Sequence, residues 1–172
     1  PEIPKEMDVR GGWNRKESAE ARNRRSIYVF MRRNSRYPMF QAFDLPDSHE
    51  SCARRSVTTT APQALNLLND KVILTAAQAF AGRVLQQAGT NVNAQIVTAY
   101  RLAFSRKPEA DEIAAALSFL RQQSALIQTR HEAKQAVALP PNPPAGLQAA
   151  QTAALIDFCH VLFNSNEFVY VN

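Results

Sequence analysis

Residues 60–89, TAPQALNLLNDKVILTAAQAFAGRVLQQAG, decide the fold class of this chain. Thr60 stands where a helix N-cap would be, Gln63 follows three residues later as in a capping box, and Pro62 falls in the first turn, where its missing N–H costs little. From there Leu65, Leu68, Val72, Ile73, Ala77, Phe80 and Val84 recur at steps of three and four, the signature of a helix with one apolar stripe. Asn69-Asp70 interrupts the pattern and Gly89 ends it. The stretch therefore reads as one long helix or two abutting ones.

Downstream the same period returns three times. Val92, Ile96, Tyr100 and Ala103 mark a second helix, closed by Arg106-Lys107-Pro108. Pro108, Glu109, Asp111 and Glu112 open a third, with acids where the macrodipole favours them, and Ile113, Leu117, Leu120 and Ile127 form its buried stripe until it fades near Thr129. Residues 139–146, LPPNPPAG, cannot be helical and read as a stiff connector. A fourth helix follows, with Leu155, Phe158, Cys159 and Leu162 inward. It ends near Asn164-Ser165-Asn166, and Phe168 to Val171 reads as a short extended tail.

Upstream, residues 1–23 show no period and read as an irregular arm. Residues 24–33 suit a strand or a helix, and Tyr37 to Arg55, with Pro38 and Pro46, reads as an ordered loop. The expectation is a mainly α protein: a bundle of about four amphipathic helices in residues 58–172, on which an N-terminal arm and motif-rich loop, residues 1–57, pack as part of one domain. A hydrophobic fraction of 45% with 20% charged residues fits such a core. The chain starts at Pro1 without a charged-then-apolar leader or a run of about 18 apolar residues. We therefore expect no signal peptide, no membrane span and a segment of a longer protein.

The net charge of +5 is concentrated in the first 60 residues, around Arg22, Arg24, Arg25, Arg32, Arg33 and Arg36. Interleaving with Ile27, Tyr28, Val29 and Phe30 favours packing and ion pairing over phosphate contacts, and no nucleic-acid-binding pattern emerges. No GxxxxGK, GxGxxG or GxSxG string occurs, which argues against nucleotide hydrolysis and serine esterase chemistry. Cys52 and Cys159 form no CxxC and no CxxCH, so no c-type haem attaches here. They either bridge in an oxidising compartment or remain two buried free thiols.

Several strings are more specific than any period. They are Arg24-Arg25-Ser26-Ile27-Tyr28; Phe43-Asp44 with Pro46-Asp47; Cys52 with Arg54-Arg55; Thr60 to Asn69; Tyr100-Arg101 with Phe104, Arg106 and Pro108; and Asn164-Ser165-Asn166-Glu167-Phe168. Together, from about Arg24 onward, they resemble the C-terminal part of a planctomycete-type domain of unknown function found in large exported proteins beside cytochrome-c-like domains. The resemblance implies an extracytoplasmic parent protein of the periplasm or cell envelope. It places any haem in a separate domain, with no cofactor in this chain, and implies no known activity.

The densest polar cluster is Asp44, Asp47, His49, Glu50, Arg54 and Arg55. Paired carboxylates there would suit general acid–base work, but pairing with Arg24, Arg25, Arg54 or Arg55, or capping of turns, is the favoured expectation. His49 with Asp47 and Glu50 is a weak metal pattern, and no metal site is expected. Asn69, Asn166 and Glu167 fit helix termini, with a polysaccharide hydroxyl as an alternative ligand for the two asparagines. The leading reading is a non-catalytic structural or docking module whose partners are other domains of its parent. The rival is part of an enzyme, an oxidoreductase or a polysaccharide-active protein, whose site is completed by an upstream region.

Overall fold

In a computed structural model, the structure describes residues 26–28, 38–47, 49, 51–54, 58, 60–141, 143 and 146–170. Among these there are seven α-helices and no strand, so the helical expectation holds. The chain divides into two compact units, Pro1–Asn66 and Leu67–Asn172.

In the first unit, Ser26–Tyr28 forms a single 3-10 turn, where the sequence had left strand and helix open. Helix α1, Pro38–Ala42, stands in the stretch expected to be a loop. Pro38 explains the difference: proline is preorganised for a helix start. The helix then stops within five residues, because Asp44 adopts φ 55 and Leu45 N–H donates to Phe40 O at 3.0 Å. That is a Schellman-type ending with an Asp where glycine is usual.

Helix α2, Ala61–Asn69, and helix α3, Lys71–Ala88, settle the opening stretch as two abutting helices. Gln63 Oε1 accepts the Thr60 N–H at 3.1 Å, the expected arm of the capping box. Asp70 is the reason for the break. Its backbone is extended and its carboxylate accepts from Val72 N–H at 2.7 Å, so it caps α3 and cannot continue α2. Gly89 then ends α3 at φ 62.

The second unit is a bundle. Helix α4, Val92–Phe104, is capped by Asn91, and α5 runs Ala110–Glu132. Helix α6, Ala149–Phe163, packs against α3, α4 and α5 and buries nine of its fifteen residues. These include Leu155, Ile156, Phe158, Cys159 and Leu162, a near-continuous apolar surface that marks a central helix. Alanines make close approach possible: Ala77 and Ala81 on α3, Ala99 on α4, Ala116 on α5, and Ala153 and Ala154 on α6 are all buried. The connector lies on α3, where a Cβ on Gly82 would stand 3.5 Å from Pro141 O and 3.6 Å from Pro140 Cβ.

Helix α7, Asn166–Val169, replaces the expected extended tail. Ser165 caps it, accepting from Phe168 N–H at 3.3 Å, and Phe168 packs against Phe163 with tilted rings whose centroids are 4.7 Å apart. The apolar stripe of the opening stretch is only half buried. Ala77 and Val84 are in the core, whereas Leu65, Leu68 and Val72 are exposed.

At the end of α5, Lys134 holds φ 58 while Gln135 N–H reaches Arg130 O at 3.0 Å. A left-handed conformation costs a side chain with a Cβ about 1 kcal/mol that glycine avoids. Lys134→Gly is therefore expected to stabilise the protein by roughly 0.5–1 kcal/mol, read as a raised midpoint in urea unfolding.

Candidate functional site

Two of the six strings meet in space. Helix α4 ends where Ser105 turns into the left-handed region at φ 60, and the next residue is Arg106. The chain re-enters a helix at Ala110 after Glu109, which places Glu112 in the first turn of α5, while α7 brings Glu167 from the far end of the chain. Arg106 Nη1 and Nη2 donate to Glu112 Oε2 and Oε1 at 2.8 and 2.7 Å. Its Nε and Nη2 donate to Glu167 Oε1 and Oε2, both at 2.7 Å. Nη1 also reaches Lys107 O at 3.2 Å. A guanidinium has five N–H donors, and these five bonds occupy all of them. Its plane lies over Tyr100 and Phe104, with Cζ 5.5 and 5.7 Å from the ring centroids.

The charges answer to this geometry. Hydrogen bonding from Arg106 holds the Glu112 carboxyl down at about 2, with the Glu109 N–H at 2.7 Å adding to the effect. The same guanidinium lowers Glu167, and the two carboxylates together raise Arg106 further above neutrality. Burial is the main cause that raises Tyr100. The arrangement locks the α4–α5 turn to α7.

The expected cluster behaves differently. Asp44 accepts from the Thr58 N–H at 2.7 Å and from its hydroxyl at 2.8 Å, bridging a gap of fourteen residues. Asp47 accepts from the His49 N–H at 3.0 Å, and Arg54 O accepts from Cys52 Sγ at 3.1 Å. Arg24, Arg25, Glu50 and Arg55 lie outside the described residues. Among the described residues no His, Cys, Asp or Glu group is arranged to hold a metal ion. Asn69 is the last residue of α2, and Asn166 opens α7, its carbonyl accepting from Tyr170 N–H at 2.9 Å. Of the residues singled out as candidates, Glu167 belongs to the Arg106 clasp. Arg106 and Glu112 had been read only as a helix end and a dipole partner, although their six-residue spacing across one turn was visible.

Both cysteines are free; Cys159 is fully buried in α6 and Cys52 is exposed. Burial pushes the Cys159 thiol far up.

A second feature of this unit is a groove of about 520 Å³. Leu85, Leu117 and Leu120 give it an apolar floor, and Gln95, Arg121 and Gln148 line it with polar atoms.

The sequence matches the family model "PSD1: Protein of unknown function (DUF1553)" over residues 2–120, more than two thirds of the chain. The chain belongs to the PSD1 family. The matched region begins before Arg24 and ends before the Asn164–Phe168 string, so in PSD1 terms Arg106 and Glu112 lie inside it and Glu167 outside. No curated protein and no solved structure matches the chain. No helix among the described residues is long and apolar enough to cross a membrane.

Two measurements test these assignments. Glu112 is depressed in the folded state, so its contribution is full above the ordinary carboxylate value of 4.5 and is lost as pH falls toward about 2. Arg106→Lys, which cannot make the same paired bonds, is expected to lower the unfolding midpoint at pH 6. Its deficit relative to the parent protein should shrink steadily between pH 4.5 and about 2. In thiol labelling of the native protein, Cys52 is expected to react within the mixing phase and Cys159 only at the rate of unfolding.

Proposed function

We propose that this chain is a non-catalytic docking module of a larger, extracytoplasmic, cytochrome-c-associated protein of planctomycete type, packing against that protein's other domains. The observation that carries the reading is the state of Arg106: all five donors are spent on Glu112, Glu167 and Lys107 O, leaving none for a substrate. Catalytic acids and bases are tuned toward neutrality. Here Glu112 and Glu167 are lowered, and Arg106, Tyr100 and Cys159 are raised, each away from it. Asp44 and Asp47 hold their own loop. The resemblance of the six strings supports the envelope and cytochrome-c context.

A docking module also needs a surface. Leu68 at the end of α2 and Val72 at the start of α3 are 51% and 49% exposed, and Leu74 nearby is exposed as well. Exposed apolar side chains close together along the chain are what such a surface would present. A photo-cross-linking residue placed at Val72 in the intact parent protein is expected to yield peptides from its haem-bearing domain. The same label at the exposed Arg83 serves as the control. Equal background at both positions would remove the docking reading.

A further inference from the structure

We propose that the groove beside α3, α4, α5 and α6 binds a peptide C-terminus whose last residue is apolar. This ligand site goes beyond the docking reading and does not depend on it, because none of its residues belongs to the Leu68–Leu74 surface.

The groove is built inside one unit, and its volume of about 520 Å³ falls in the range usual for small-ligand sites. Leu85 and Leu120 on its floor are 2% and 8% exposed, so the apolar part is rigid core surface rather than loop. An aliphatic side chain entering there loses water on contact with that floor.

Two polar elements set what the ligand must carry beside that side chain. Arg121 lines the groove; its Nε donates to Leu117 O at 3.2 Å, while Nη1 and Nη2 make no hydrogen bond or ion pair among the described residues. The two free nitrogens suit a carboxylate, which an arginine fork grips in paired fashion. The first turn of α6 supplies more donors. Its Gln148 cap position gives no side-chain bond, and the first intrahelical amide is Thr152 N–H to Gln148 O at 3.0 Å. The N–H groups of Ala149, Ala150 and Gln151 therefore have no intrahelical acceptor, and Gln148, Gln151 and Thr152 all line the groove.

Gln95 fixes the other end. It is 5% exposed, and its Nε2 donates to Gly89 O at 2.7 Å, which sets the amide orientation and leaves Oε1 as an acceptor with no partner among the described residues. The ligand thus needs an N–H donor as well as a carboxylate and an apolar side chain. A free amino acid carries all three, but its donor is an ammonium. No Asp or Glu lines the groove to balance a second positive charge beside Arg121. A neutral amide N–H meets the requirement, and the molecule with an amide N–H, an apolar side chain and a carboxylate on one carbon is the end of a peptide.

Three probes separate the elements on the full chain by amide-shift titration: N-acetyl-L-leucine, N-acetyl-L-leucinamide and L-leucine. N-acetyl-L-leucine is expected to saturate, with shifts at Gln95 and at Gln148 to Thr152. The amide, lacking the charge, is expected to bind roughly tenfold more weakly, and L-leucine more weakly than the acetylated acid. Arg121→Gln leaves the exposed helix face folded and is expected to erase the preference for acid over amide. The proposal fails if no probe saturates, if acid and amide bind alike, if L-leucine binds best, or if Arg121→Gln keeps the preference.

Discussion

The bundle depends on covering most of the surface of α6. A helix with Leu155, Ile156, Phe158, Cys159 and Leu162 buried, and alanines filling the gaps, leaves only a narrow strip, Gln151 and Val161, fully open to water. Each large apolar side chain so buried contributes about 1.5–3 kcal/mol, so α3, α4 and α5 are held chiefly by what they cover. The alanines of α3 and α6 let the backbones come close, and side-chain bonds then fix the register. Gln123 donates to Asp157 at 2.8 Å between α5 and α6, and His160 Nε2 meets Leu67 O at 2.9 Å.

Much of this was legible because helix periodicity and end signals are local. Asp70, Gly89, the acids after Pro108 and the inward residues of α6 stand where the spacing placed them. What misled was the assumption that an apolar stripe must be buried within the same unit. Leu68 and Val72 keep the period, yet they are exposed, because periodicity reports which side of a helix avoids water and not what covers it. The same locality explains the misreading of Pro38 to Ala42 as loop, since one proline signals a turn and a helix start equally well. Residues 166–169 were too few for any period to register.

The site was less legible than the fold. Glu112 was noticed for the helix dipole, a real but weaker effect than the paired bonds that Arg106 makes to it. Glu167 lies 61 residues from Arg106, and no spacing rule links them. The strings around both residues were nonetheless among the six that carried the resemblance, although only the Arg106 string lies within the matched region. Saturation of the guanidinium gives the cluster its structural weight: all five Arg106 donors are answered within the chain.

The position of α6 within this chain has a consequence for biogenesis. The innermost helix is made after the three that surround it, so as the polypeptide leaves the ribosome, α3, α4 and α5 emerge with their inner surfaces still wet. Folding of this unit cannot proceed stepwise with translation. It must wait until about residue 163 is clear of the exit tunnel, and during that interval the nascent chain presents an open cradle that chaperones can hold.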